Sequence, residues 1–221
     1  MWIKICGNAS LGDARLALDA GADALGFVFA ASPRQVTVSE AAAIVSHLPA
    51  AVEKIGVFVD ASLDEIYSTV RECGLTGVQL HFDAAPEAPA WLRKRLGQEL
   101  RVVRVVHYGA RAGKLLLARI AEYARDPHVD AVLADAKIAT AAGGTGTTFD
   151  WAKARKKFAG VEGKPRWIVA GGLTPENVAE AIAVLKPWGV DVVSGVEAEP
   201  GRKDPVKLKA FVERARGAVR G

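Results

Sequence analysis

The sequence predicts an α/β chain folded as one (β/α)8 TIM barrel, and three observations carry that expectation. Short apolar runs alternate with amphipathic stretches from end to end, the signal for strand-helix units on a parallel sheet, and eight of each can be drawn. An acidic or small residue opens an apolar phrase at Asp23, Gly77, Asp130 and Asp191, with spacings of 54, 53 and 61 residues. Each spacing is worth about two units, so these phrases become the even-numbered strands of one closed barrel. The 221 residues divide into about 28 per unit, tighter than the roughly 250-residue barrel that eight units usually build, so the loops should be short.

Taken in order, the strands are expected near 2–6, 23–28, 53–58, 77–80, 101–105, 130–134, 167–170 and 190–194, each followed by a helix. Helical spacing is plain in Ile66, Val70 and Cys73, and again in Leu115, Leu116, Ile120 and Tyr123. The AAPEAPAW segment at 84–91 is too short for a linker and reads as a helix entry. Thr174 and Pro175 read as an N-cap and the first residue of the helix it opens. An open doubly wound sheet alternates in the same way, but the three spaced glycines of its dinucleotide fingerprint are missing after the first strand. The expectation is therefore a single barrel domain over 1–221.

Composition narrows the function classes. Half the residues are apolar and 24% charged, which excludes disordered, collagen-like and low-complexity chains. No apolar stretch approaches the roughly 20 residues of a membrane span, and the first residues, MWIKICGNAS, lack the apolar segment of a secretory signal. A cytoplasmic location is expected, with no membrane partner. Cys6 and Cys73 lack metal-ligand spacing and are expected as reduced thiols. The net charge of +4 includes a mild basic excess near the carboxyl end, at Lys203, Lys207, Lys209, Arg214, Arg216 and Arg220. That excess reads as the solvated face of the last helix, and with scattered aromatics it does not suggest nucleic acid.

In such a barrel the chemistry sits at the carboxyl ends of the strands. Alternation along IKICGN puts Lys4 and Cys6 inside the barrel, with Cys6 at the rim, while Ile3 and Ile5 face the helices. A buried cysteine is commonly a small hydrophobe, yet a nearby ammonium favours the thiolate, the form that accepts a proton. Lys4 itself needs an anion, and Asp191 on the last strand is the candidate. Asp135 ends the sixth strand across the barrel, as a cap or as a carboxyl over an apolar floor whose raised pKa suits a general acid. The long loop after it carries Gly143, Gly144 and Gly146, which suit a lid, and Thr148 or Asp150 to cap the next helix.

Gly171 and Gly172 after the seventh strand, with Ser194 and Gly195 after the eighth, leave backbone N–H groups to approach a phosphate. Arg34, on the loop after the second strand, offers either a two-pronged grip on a carboxylate or a surface salt bridge. His81 ends the fourth strand, as a structural or a site residue, and no second histidine stands out beside it for a metal.

These segments, in order, resemble the phosphoribosylanthranilate isomerase family. The resemblance runs nearly end to end: KICG at 4–7, GADALGFVF at 21–29, SPR at 32–34, IGVFVD at 55–60, VQLH at 78–81, AD at 134–135, GGTGTTFDW at 143–151, AGGLTPENV at 170–178 and DVVSGVEAEPGRKD at 191–204. It implies a cofactor-independent aldose-ketose isomerase of tryptophan biosynthesis, binding a small phosphoribosyl substrate, as a monomer or homodimer. It implies Asp135 as general acid, Cys6 as general base, Arg34 on the anthranilate carboxylate and the seventh and eighth loops on the phosphate. Phe82 and Ala136 depart from the family pattern.

Two other readings compete. A metal-dependent phosphosugar epimerase on the same barrel would want several His and Asp at strand ends, where only His81 stands out. A non-catalytic phosphate binder would have no need of both Cys6 and Asp135.

Overall fold

In the computed structural model, which describes residues 1–108, 114–136, 155–156 and 166–219, eight parallel strands close into one barrel in chain order. They are β1 (Trp2–Ile5), β2 (Ala24–Val28), β3 (Glu53–Phe58), β4 (Gly77–Leu80), β5 (Arg101–Tyr108), β6 (Ala131–Ala136), β7 (Trp167–Ala170) and β8 (Gly189–Val192). Among the described residues the helices are α1 (Leu11–Asp19), α2 (Val38–Val45), α3 (Leu63–Cys73), α4 (Ala88–Leu96), α5 (Lys114–Arg125), α6 (Val178–Leu185) and α7 (Pro205–Gly217). Gly143, Gly144, Gly146, Thr148 and Asp150 lie outside the described residues, as does Arg220.

Period-two alternation sorts the strand side chains into two layers. Trp2, Ala24, Ile55, Val103, Val105, Ala131, Leu133, Ile168 and Ala170 pack together inside the barrel. Ile3, Ile5, Leu25, Phe27, Val78 and Leu80 instead pack against the helices, as expected for the isoleucine pair of β1. Burying one such side chain contributes roughly 1.5–3 kcal/mol, so a one-residue slip that exchanged the layers is strongly disfavoured. The seam is set by the same register: Lys4 pairs with Ala24 on β2 and with Asp191 on β8.

Local chemistry starts the helices. Ser10 accepts from the Asp13 amide to cap α1, and Thr37 with Glu40 and Ser62 with Glu65 form capping boxes on α2 and α3. On α3 the expected face of Ile66, Val70 and Cys73 is buried. The AAPEAPAW segment does lead into a helix, α4.

Thr174 caps the turn that leads into the next helix: its Oγ1 accepts from the Glu176 amide at 3.2 Å and its carbonyl accepts from the Val178 amide at 3.1 Å. The Asn177 Oδ1 accepts from the Thr174 amide at 2.8 Å and its Nδ2 donates to the Gly172 carbonyl at 2.9 Å. This holds 175–177 in a turn and delays α6 to Val178.

Two strand ends also differ from expectation. β5 runs three residues further, to Tyr108. Past β8 the chain makes a short 3-10 turn (Ser194–Val196) and a small antiparallel hairpin of β9 (Glu197–Glu199) and β10 (Arg202–Lys203). The hairpin corrects the solvated-face reading of the basic residues. Lys203 is buried on β10, Lys207 donates to the Glu197 carbonyl, and Arg216 pairs with Asp23 and donates to the Met1 carbonyl. Lys209 and Arg214 do stand in solvent.

Candidate active site

The carboxyl ends of the strands surround a cavity of about 280 Å³ bordered by Cys6, Arg34, His81, Asp135, Asp191 and the loops after β7 and β8. The residues singled out by sequence, apart from those outside the described segments, therefore meet on one rim. β1 and β6 lie three strands apart around the ring, so Cys6 and Asp135 approach the cavity from different sides.

Cys6 sits one residue past β1 and is buried. Gly26 on β2 makes room for it, because a Cβ there would lie 2.5 Å from the Cys6 sulfur and 3.0 Å from the Lys4 side chain. Lys4 is fully buried and donates from Nζ to Asp191 Oδ1 at 3.0 Å, the pairing its place in the barrel demanded. Burial alone would pull the Lys4 ammonium down, but the Asp191 carboxylate and the Cys6 sulfur together hold it above its usual range. For Cys6 the balance falls the other way. Burial pushes the thiol up, and the adjacent Lys4 ammonium offsets only part of that, while Asp191 adds to it. The net direction is upward, so the thiolate preference expected from the nearby Lys4 is outweighed by burial.

Arg34 is neither a free fork nor half of a surface salt bridge. Its Nε and Nη2 grip Glu197 at 2.8 and 2.6 Å, and Glu197 is buried. Lys203 joins from the same hairpin, donating from Nζ to Glu197 Oε1 at 3.1 Å and to the Cys6 carbonyl at 2.6 Å. Despite its burial, Arg34 and Lys203 hold the Glu197 carboxylate below the usual range. The Arg34 Nη1 makes no hydrogen bond among the described residues, and the side chain borders the cavity. Asn8 anchors the same corner, donating to the carbonyls of Ile5 at 2.8 Å and Gly26 at 3.1 Å. Glu197 and Lys203 were missed as site-building residues because EAEPGRK reads as a loop, and Asn8 because one polar residue after a strand carries no signal of its own.

On the opposite side Asp135 ends β6 next to two imidazoles rather than over a purely apolar floor. His81 Nε2 lies 3.9 Å and His107 Nδ1 3.8 Å from Asp135 Oδ2. His107 is the second histidine that was not expected: β5 is longer than its apolar run suggests and carries His107 into register with Asp135. Gln79 on β4, also missed, is buried at the cavity with no partner for Oε1 among the described residues.

Between β7 and β8 the backbone opens. Gly171 and Gly172 adopt φ of 89° and 65°, a region that side chains resist. A Cβ at Gly195 would fall 1.9 Å from the Leu173 carbonyl oxygen, so only glycine fits there. Among the described residues no backbone carbonyl accepts from the amides of Gly171, Gly172, Ser194 or Gly195, all of which border the cavity. Four N–H groups at one mouth, without a backbone partner among the described residues, suit a phosphate. Asp191 borders the cavity too, with Oδ1 committed to Lys4.

Comparison with known proteins is consistent with this geometry. The sequence model of the family described as N-(5'phosphoribosyl)anthranilate (PRA) isomerase matches residues 3–214. The N-(5'-phosphoribosyl)anthranilate isomerase of Pelobacter propionicus is 46% identical, covering 97% of this chain and 95% of its own. Among solved structures, the phosphoribosyl anthranilate isomerase of Thermotoga maritima superposes with a TM-score of 0.82 at 35% identity, over 98% of this chain and 99% of its own. Another phosphoribosyl anthranilate isomerase, solved with reduced 1-(o-carboxyphenylamino)-1-deoxyribulose 5-phosphate, gives 0.80 at 33% identity, over 98% and 99%. Fold, rim and relatives converge: the chain belongs to the N-(5'-phosphoribosyl)anthranilate isomerase family.

Proposed function

We propose that the rim isomerises N-(5'-phosphoribosyl)anthranilate to 1-(2-carboxyphenylamino)-1-deoxyribulose 5-phosphate, with Asp135 as general acid and Cys6 as general base. The observation that carries this reading is the shared cavity, which an acid, a base, an arginine and four open amides all border. The amides of Gly171, Gly172, Ser194 and Gly195 take the phosphate. Arg34, steadied by Glu197, turns its remaining donors to the anthranilate carboxylate.

Asp135 gives its proton to the furanose ring oxygen. The C1–O bond breaks as the amine lone pair forms the protonated Schiff base. Formation of that cation favours the Cys6 thiolate that burial disfavours, the thiol proton passing to solvent at the cavity mouth. Cys6 then removes the proton from C2, and the electron pair forms the enolamine, which tautomerises to the ketone. Gln79 and His81 border the same cavity and face the sugar.

The assembly proposed is a monomer or a homodimer, and sedimentation distinguishes them; the Thermotoga maritima relative is dimeric. No helix among the described residues is long and apolar enough to cross a membrane.

The test generates the substrate in place from anthranilate and phosphoribosyl pyrophosphate with a transferase, adds the protein with chelator, and follows substrate fluorescence while identifying the product. Rapid loss of signal with formation of the deoxyribulose phosphate is expected. Folded protein that gives no acceleration over the spontaneous rate would reject the reading.

A further inference from the structure

We propose that His81, His107 and Asp135 form a binding site for one transition-metal dication of the zinc class, and that metal held there stops turnover by taking the carboxyl the reaction needs. The inhibitory half of this inference rests on the role assigned to Asp135 above. The binding half rests on geometry alone.

The three residues come from adjacent strand ends. His81 follows β4, and His107 and Asp135 face each other in register across β5 and β6. Their ligand atoms all lie within 4.8 Å of one another. Both imidazoles turn a nitrogen to the same oxygen, Asp135 Oδ2, at 3.9 and 3.8 Å. Those distances are too long for hydrogen bonds, which at charged pairs settle near about 2.8 Å. They are close to what a shared ion requires. Ligands about 2.0–2.2 Å from zinc in a tetrahedral shell stand roughly 3.3 Å apart, so side-chain rotation must shorten each His–Asp135 edge by about half an ångström and the remaining edge, within 4.8 Å, by up to about 1.5 Å.

The donor set selects the ion. Two imidazole nitrogens and one carboxylate oxygen suit zinc and its first-row neighbours, whereas magnesium and calcium prefer shells of oxygen. Access is open, since the side chains of His81, Asp135 and His107 are 23%, 19% and 50% exposed. Three protein ligands leave the remaining positions to solvent. A bound dication keeps the Asp135 carboxylate ionised and occupied, so it has no proton to give. His107 does not border the cavity, which separates metal binding from substrate binding at that residue.

The experiment uses the full chain, stripped with chelator and dialysed. Cobalt is titrated and followed by visible absorption, zinc is titrated by calorimetry, and isomerase activity is followed with zinc or chelator. Wild type should take one equivalent of either metal, with tetrahedral-type cobalt bands, and lose activity in zinc that chelator restores. His107→Gln should bind at least about tenfold more weakly, lose its zinc sensitivity by a similar factor, and keep its metal-free turnover. His81→Gln should show the same loss of binding. Absence of binding in wild type, or equal binding in both variants, would overturn the site. Binding that leaves turnover unchanged or raises it would overturn the inhibitory half. A folded wild type that binds cobalt but is inactive in chelator would overturn the proposed function and the inhibitory half with it, while supporting the site.

Discussion

The rim of this barrel has two chemically different sides. Around β1, β2 and β8, two buried carboxylates are matched by cations: Asp191 with Lys4, and Glu197 with buried Lys203 and half-buried Arg34, at 2.6 to 3.1 Å. Around β4, β5 and β6, Asp135 and two imidazoles stand partly in solvent at 3.8 to 3.9 Å. The first side is held by ion pairs that would be costly to break. The second is loose enough to exchange protons with solvent or to accept an ion. Under the proposed roles the base lies on the buried side and the acid on the open one.

The largest expected effect is on the buried side. Lys4→Met leaves the Asp191 carboxylate buried without a partner and should cost about 3–5 kcal/mol in urea denaturation. Adding Asp191→Asn should recover a large part of it. A loss under about 1 kcal/mol for the single variant would show that the pair is not holding the seam.

Arg34→Ala should come next. It removes the proposed carboxylate grip and leaves Glu197 with Lys203 alone, so binding of the carboxylate substrate should weaken by about 2–3 kcal/mol, in the range for charged hydrogen bonds. Equal weakening for a decarboxylated analogue would place Arg34 elsewhere.

The third prediction concerns pH. Burial raises the Cys6 thiol above its ordinary value near 9, and only the thiolate reacts with an alkylating reagent. Modification of Cys6 in the free protein should therefore be slow at neutral pH and still be rising with pH beyond 9. Peptide mapping separates it from Cys73, which burial and Glu72 push up to about 11. A plateau below pH 8 would contradict the burial argument.

The smallest effect is expected on the open side, where Asp135→Asn should change stability by under about 1 kcal/mol, because its 3.8 and 3.9 Å contacts with the imidazoles are too long for hydrogen bonds. A much larger cost would erase the contrast between the two sides.

What sequence alone could reveal follows the same division. The Lys4 and Asp191 pair was legible because strand alternation and barrel closure are regular, and they place two inward residues on neighbouring strands. Glu197 and Lys203 were not, because strands of three and two residues carry no period and their partners are about 160 to 200 residues away. His107 was hidden for a different reason. The apolar run of β5 ends at Val106, and only pairing with β6 extends the strand to Tyr108. The Thr174 cap was legible, but the helix proper starts only at Val178, after a turn that Asn177 Oδ1 closes on the Thr174 amide.

The central claim is that the buried thiol and the open carboxyl act on one substrate. The most direct test is single-turnover isomerisation in chelator by Cys6→Ala and Asp135→Asn, beside their affinity for the reduced product analogue. Each variant should bind the analogue nearly as wild type does and lose at least about 100-fold in rate. A rate near wild type in either variant would contradict the account.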